Sequence, residues 1–189
     1  MTRYSQLHAS AIRCAITFLA LAILPPFDNA CSAFDVNVSG NLQWRDGQDN
    51  LHNARGVKVE LWSIDFFGNH TIEFTTNADL EGNYSGTFSS LAPGLLSVYL
   101  NIYAQNSAGY VSPNLDANDV PDPAATYGLQ TPAAGIGAGD NILSANFANN
   151  NNATRAFGVL DMMLVGAQFA SDVRGAALPA LPARFPHSA

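Results

Sequence analysis

Val36-Asn37-Val38-Ser39-Gly40-Asn41-Leu42-Gln43-Trp44-Arg45-Asp46, then Gly56-Val57-Lys58-Val59-Glu60-Leu61-Trp62, then Gly82-Asn83-Tyr84-Ser85-Gly86-Thr87-Phe88: these three runs decide the fold class of the chain. In the first, Val36, Val38, Gly40, Leu42 and Trp44 alternate with polar Asn37, Ser39, Asn41 and Gln43. Side chains of a strand point to opposite faces in turn, so a period of two marks a strand with one face in a core and one in water. The second run repeats the pattern, with Val57, Val59 and Leu61 on one face and Lys58, Glu60 and Trp62 on the other. Polar, Gly- and Asn-rich stretches separate the runs and supply the turns. The expectation is an antiparallel Greek-key β-sandwich of about seven strands.

Working outward, strands are expected over 35–45, 57–64, 70–76, 82–88, 95–104 and 109–112, with weaker ones over 126–130 and 141–147. In 95–104, Leu96, Val98, Leu100 and Ile102 share one face and Tyr99 and Tyr103 the other, so this strand is expected to be central. At Asn149 the period changes. Asn149 to Asn152 can supply an N-cap, and Thr154 to Val173 reads as a helix stopped by Gly175. Its apolar arc is wide, which calls for burial on more than one side. The organisation is therefore a sandwich over 34–148, a helix over 149–175 and an extended tail over 176–189.

Residues 1–33 read as a signal peptide. Arg3, His8 and Arg13 precede the apolar stretch Cys14 to Leu24, Pro25 and Pro26 end it, and Ala30 or Ala33 offers a cleavage position. Eleven helical residues span about 16 Å, short of a bilayer core of about 30 Å. From Phe34 on there are six basic against fourteen acidic residues, a net charge of −8, and no cysteine. This excludes disulfides and thiol chemistry from the mature chain, and an acidic chain without a basic patch argues against nucleic acid as partner. A secreted, periplasmic or cell-surface protein with no membrane partner in its mature form is expected.

No catalytic constellation stands out. The histidines are His8, His52, His70 and His187, none four residues from another, so no pair can share one metal on a helix face. No serine lies in a Gly-x-Ser-x-Gly context, and Gly135 to Gly139 lacks the strand-to-helix setting of a nucleotide-binding loop. The chain is read as a non-enzyme without a cofactor. One exception is weighed: alternating oxygens in the loop Asp116, Asn118, Asp119 and Asp122 can converge on a hard cation such as Ca²⁺, against the plainer reading of a solvated turn. Asp46, Asp49 and Asn50 form a second such loop. Trp62, Phe66 and Phe67, with Tyr99 and Tyr103 nearby, can build a carbohydrate- or protein-binding face. Trp44 is in phase with its apolar face and reads as core, and Trp62 is expected to lie beneath the C-terminal helix.

Val38-Ser39-Gly40, then Trp44-Arg45-Asp46, then Gly56-Val57-Lys58-Val59-Glu60-Leu61-Trp62 resembles the transthyretin-like, carboxypeptidase-regulatory-like domain family over residues 35 to 112. Thr76, Asn77, Gly82 and Tyr84 resemble its later hairpin, with a turn two residues longer. The segments 156–161, 167–170 and 178–186 look like the connection to a zinc-metallopeptidase-like domain in secreted bacterial proteins. The resemblance implies an accessory, spacer or adhesion module with no peptidase domain within these residues, either a truncated or frameshifted part of such a protein or a stand-alone relative.

Overall fold

A computed structural model describes residues 33–91, 95–118, 120–148 and 152–185. Apart from Ala33, the signal-peptide reading lies outside the described residues, as do Asp119 and the polar run 149–151. The chain is mainly β, with one C-terminal helix. Its strands are β1 (Phe34–Arg45), β2 (Leu51–Asn53), β3 (Lys58–Ile64), β4 (His70–Asn77), β5 (Asn83–Ser90), β6 (Leu96–Tyr103), β7 (Gln105–Asn106) and β8 (Gly109–Ser112). They continue with β9 (Gly128–Gln130), β10 (Ala134–Ile136), β11 (Gly139–Ile142), β12 (Ala145–Phe147) and, after helix α1 (Asn152–Arg174), β13 (Leu181–Arg184).

β1 is the axis of the first sheet. On one side β5 runs antiparallel along Phe34 to Asn41, and β2 takes over along Gln43 to Arg45. The exchange falls at Leu42, whose N–H donates to the Gly82 carbonyl and whose carbonyl accepts from the Ala54 N–H, both at 2.9 Å. On the other side β11 and then β12 lie parallel to β1. The second sheet runs β10-β6-β3-β4, antiparallel throughout, with β9 beside the C-terminal half of β6. Thr131 joins β9 to β10: its N–H donates to the Leu100 carbonyl, and its hydroxyl accepts from the Leu100 N–H. β13, β8 and β7 form a small third sheet.

Expected and observed architecture agree on the sandwich and on each long strand to within two residues. They differ at the edges. Two of the sheet edges are each covered by a pair of short strands, and β1 has parallel partners about a hundred residues downstream, which local alternation does not encode.

The alternation of β1 explains the core. Val36, Val38, Leu42 and Trp44 are buried and face Val59, Leu61, Val98, Leu100 and Ile102 of the second sheet. Burying each aliphatic side chain contributes about 1.5–3 kcal/mol. Two glycines set the spacing. A Cβ on Gly86 would stand 2.6 Å from the Phe74 ring, so its absence lets β4 of one sheet close on β5 of the other. A Cβ on Gly40 would fall 2.6 Å from the Leu143 carbonyl carbon, closer still to its oxygen, so β1 admits the chain between β11 and β12 only as glycine. That carbonyl accepts a 2.6 Å hydrogen bond from the buried Tyr84 hydroxyl.

Helix α1 lies against β8 and touches β1, β7 and β9. Thr154, Ala156, Phe157, Leu160 and Leu164 are its buried residues. Gly158 lets it approach the Trp44 ring, and Asp161 accepts from both Nε and Nη2 of Arg55, at 2.5 and 2.6 Å, which ties helix to sandwich. Gly175, at φ 68°, ends it as expected. The expectation of two-sided burial is corrected. Met162, Val165, Phe169 and Val173 form a stripe on the side away from the buried one, with Met162 79% and Phe169 69% exposed. By length and composition alone α1 could cross a membrane, yet its first half is packed into the fold.

Candidate functional site

The outer face of the second sheet carries an aromatic and polar cluster built by strand register. Lys58 stands opposite Tyr103, Glu60 opposite Asn101 and Trp62 opposite Tyr99 on β3 and β6. All point away from the core because Val59 and Leu61 point into it. Glu60 is the hub: one carboxylate oxygen accepts from the Tyr103 hydroxyl at 2.9 Å and Trp62 Nε1 at 3.1 Å, and the other pairs with Lys58 at 2.8 Å. Burial alone would raise the Glu60 pKa, but the hydrogen bonds from Lys58, Tyr103 and Trp62 outweigh it and hold the carboxyl below its usual value. Burial, with the neighbouring Glu60, pushes the Tyr103 phenol up to about 12. Trp62 stacks on Tyr99 with ring centres 6.2 Å apart, and the Tyr99 hydroxyl bonds His70 Nδ1 at 2.8 Å. Trp62 thus lies against Tyr99, and not beneath α1 as the sequence suggested, because α1 settles on Trp44 at another part of the sandwich.

Phe66 and Phe67 sit past the end of this face, at the tip of the β3–β4 hairpin, 97% and 76% exposed and packed edge to face on each other. Of the three aromatics chosen from sequence, one is therefore on the sheet and two are on the tip. The tip is held by Asp65. Its Oδ1 accepts from the Phe67 and Asn69 N–H groups, both at 2.8 Å, its Oδ2 accepts from Asn69 Nδ2, and its carbonyl accepts from the Gly68 N–H. Gly68 takes φ 80°, the left-handed conformation that closes a hairpin loop of this length.

The same clamp recurs. Asp79 binds the N–H groups of Glu81 and Asn83 and the Asn83 amide, around Gly82. Asp46 binds those of Gln48 and Asn50 and the Asn50 amide, with Asp49 at φ 65° where the others have glycine. These hydrogen bonds hold the Asp46 carboxyl far below its ordinary value, His52 at 2.9 Å being the foremost donor, and lower Asp79 through the Asn83 N–H first. Nothing in the sequence reading recognised this unit, although Asp65-Phe-Phe-Gly-Asn69 and Asp79-Leu-Glu-Gly-Asn83 spell it in the text.

The loop weighed for Ca²⁺ is a fourth, partial example. Asp116 Oδ1 accepts from the Asn118 and Val120 N–H groups, which lower its pKa, and Asp122 caps the short 3₁₀ turn Pro123–Ala125 through the Ala124 N–H. Asp116 and Asp122 each serve their own turn, and among the described residues no three His, Cys, Asp or Glu groups gather as a metal site. Asp46, Asp49 and Asn50, the second such loop, are likewise spent on a clamp, with Arg45 against Asp49. An open cleft of about 690 Å³ lies between Gly40, Asn41, Asn77, Asn83 and Ser144. Its amides are largely engaged: Asn41 donates to the Glu81 carbonyl and to Asn83.

No protein-family model matches the chain, and no curated protein matches it. Among solved structures it is similar to a 9R-lipoxygenase from Cyanothece, at 10% identity and a TM-score of 0.35, over 86% of this chain and 28% of that one. The chain thus spans less than a third of that enzyme's length, and a likeness this slight carries no argument about fold or function.

Proposed function

We propose that this chain is an exported, non-catalytic β-sandwich module of the accessory, spacer or adhesion kind, mounted on a larger assembly through its C-terminal helix. The observation that carries the reading is the bare stripe of Met162, Val165, Phe169 and Val173 on the far side of α1. A helix that is apolar on two sides has a neighbour on each, and an exposed apolar patch of this kind marks an interaction surface. The transthyretin-like resemblance suggests a peptidase-like domain as that neighbour. The reading is also supported by how the carboxylates are used, since Asp46, Asp65, Asp79 and Asp116 clamp turns and Glu60 and Asp161 pair within the fold. Light scattering and dye binding test it. The processed chain should self-associate or bind a hydrophobic dye, and Met162→Glu with Phe169→Glu should abolish both while the melting temperature holds. A monomer that binds no dye would sink the proposal.

A second reading, a carbohydrate-binding module, is favoured by the half-buried Trp62 ring, held in place by the buried Tyr99 and by its bond to Glu60, an aromatic surface next to fixed polar groups. A glycan array with Trp62→Ala as control tests it, and an array blank for the parent chain removes it.

A further inference from the structure

We propose that the β3–β4 hairpin tip is a membrane-docking device that sinks Phe66 and Phe67 into the interface of an uncharged lipid surface. The observation is independent of the helix stripe and goes beyond the module reading. Three turns of this chain share one clamp, an aspartate that binds the N–H groups two and four residues on and the amide of an asparagine at the fifth position. Their second and third residues are Gly47-Gln48, Phe66-Phe67 and Leu80-Glu81. The clamp therefore works with polar or small residues in these places, and the turn's geometry does not need two phenylalanines. With Phe66 97% exposed, the sandwich does not bury them either.

The chemistry of the tip selects the occupant. The N–H groups of Asp65, Phe67, Gly68 and Asn69 are all bonded within the loop, to the Asn69 carbonyl, Asp65 Oδ1 and the Asp65 carbonyl, so these four can enter the headgroup layer without losing a partner. The tip's single charge, Asp65, is turned into the clamp. Sugar recognition needs free polar groups beside the ring, and here Asp65 and Asn69 are spent on each other. A stable protein interface needs about 800 Å² on each partner, which a convex five-residue tip does not offer. Leu95, 82% exposed, widens the patch on the same end of the sheet, because Ser97 pairs with Ile64 just before the tip. Rings and a leucine on a protruding turn, with the backbone at headgroup level, suit shallow interfacial insertion. With no basic residue in the loop, binding should not depend on anionic lipid.

Co-sedimentation of the processed chain with neutral phosphatidylcholine vesicles tests this. The parent chain should partition onto them, and Phe66→Ser with Phe67→Ser should lower the partition coefficient on the order of a hundredfold. Leu80→Ser, at the matching place of the Asp79 turn, should leave it unchanged. A Phe67→Trp chain keeps the tip itself in view: its added emission should shift blue and be quenched by brominated lipid. Absence of vesicle binding by the parent overturns the proposal, and so does equal binding by the double variant. A Phe67→Trp chain whose added emission stays unshifted and unquenched would overturn it as well, and tip variants that lose glycan or protein binding alone would reassign the tip to that partner.

Discussion

Replacing Gly40 with alanine should destabilise the fold by about 3–4 kcal/mol. Gly40 lies where the chain between β11 and β12 crosses β1. A new methyl would stand 2.6 Å from the Leu143 carbonyl carbon and 3.0 Å from Tyr84 Cε1. Main-chain atoms cannot swing aside as a side chain end does, so the segment around Leu143 has to move. Three hydrogen bonds depend on its place: Leu143 N–H to the Ser39 carbonyl at 2.8 Å, Asn41 N–H to Ser144 Oγ at 3.0 Å, and the Tyr84 hydroxyl to the Leu143 carbonyl at 2.6 Å. At about 1 kcal/mol each, their loss accounts for about 3 kcal/mol, and residual overpacking adds to it. Urea unfolding reads the free energy, and the midpoint of thermal unfolding should fall by about 10 °C. Two controls bracket the value. Tyr84→Phe removes one of the three bonds and should cost about 1 kcal/mol. Gly137→Ala, with nothing within 4 Å of the new Cβ, should stay within about 0.5 kcal/mol. A Gly40→Ala protein within about 1 kcal/mol of its parent would refute the claim that this crossing is rigid.

Acid should loosen the clamped turns. Asp46, Asp79 and Asp116 have folded pKa values below the unfolded value of about 3.9, so the unfolded chain takes up protons first. Their contribution is complete above the unfolded pKa and is lost as pH falls through the folded ones. Melting temperature should therefore be flat above about pH 5 and fall below about pH 4, with a shallower fall in Asp79→Asn; an identical slope in that variant would count against the clamp. Glu60→Gln should bring the Tyr103 phenol back from about 12 part of the way to the ordinary tyrosine value of 10, followed by an NMR titration of that ring. A Tyr103 that titrates unchanged would show that burial alone holds it up.

How much of this was legible depends on distance along the chain. β1, β3 and β6 announce themselves because each residue's face is set by its own neighbours, and Val36, Val59 and Leu100 fall in the core as the alternation says. The parallel partners of β1 are invisible to such reading, since Asn37 meets Asp140 through nothing but the closed fold. Trp62 shows the same limit: its strand face was readable, but the ring it would meet was not, because that depends on which strand lies alongside. For the candidate site, Phe66 and Phe67 were legible as an exposed turn. The clamp beneath them was not recognised, although a repeated Asp-x-x-Gly-Asn spells it, because one copy replaces glycine by Asp49. The helix misled in the opposite way: its wide apolar arc called for burial on more than one side, whereas the fold buries one side and leaves Met162, Val165, Phe169 and Val173 exposed.

The position of β1 also governs the order in which the molecule can assemble. Among the described strands it is the first to leave the ribosome, yet it is flanked by β5 on one edge and by β11 and β12 on the other. At about 5–20 residues per second, the hundred residues separating it from β11 and β12 take on the order of 5–20 s to appear. Throughout that interval an unpaired, half-apolar edge is open to the wrong neighbour. A chain wired this way gains from closing only once its last third has arrived.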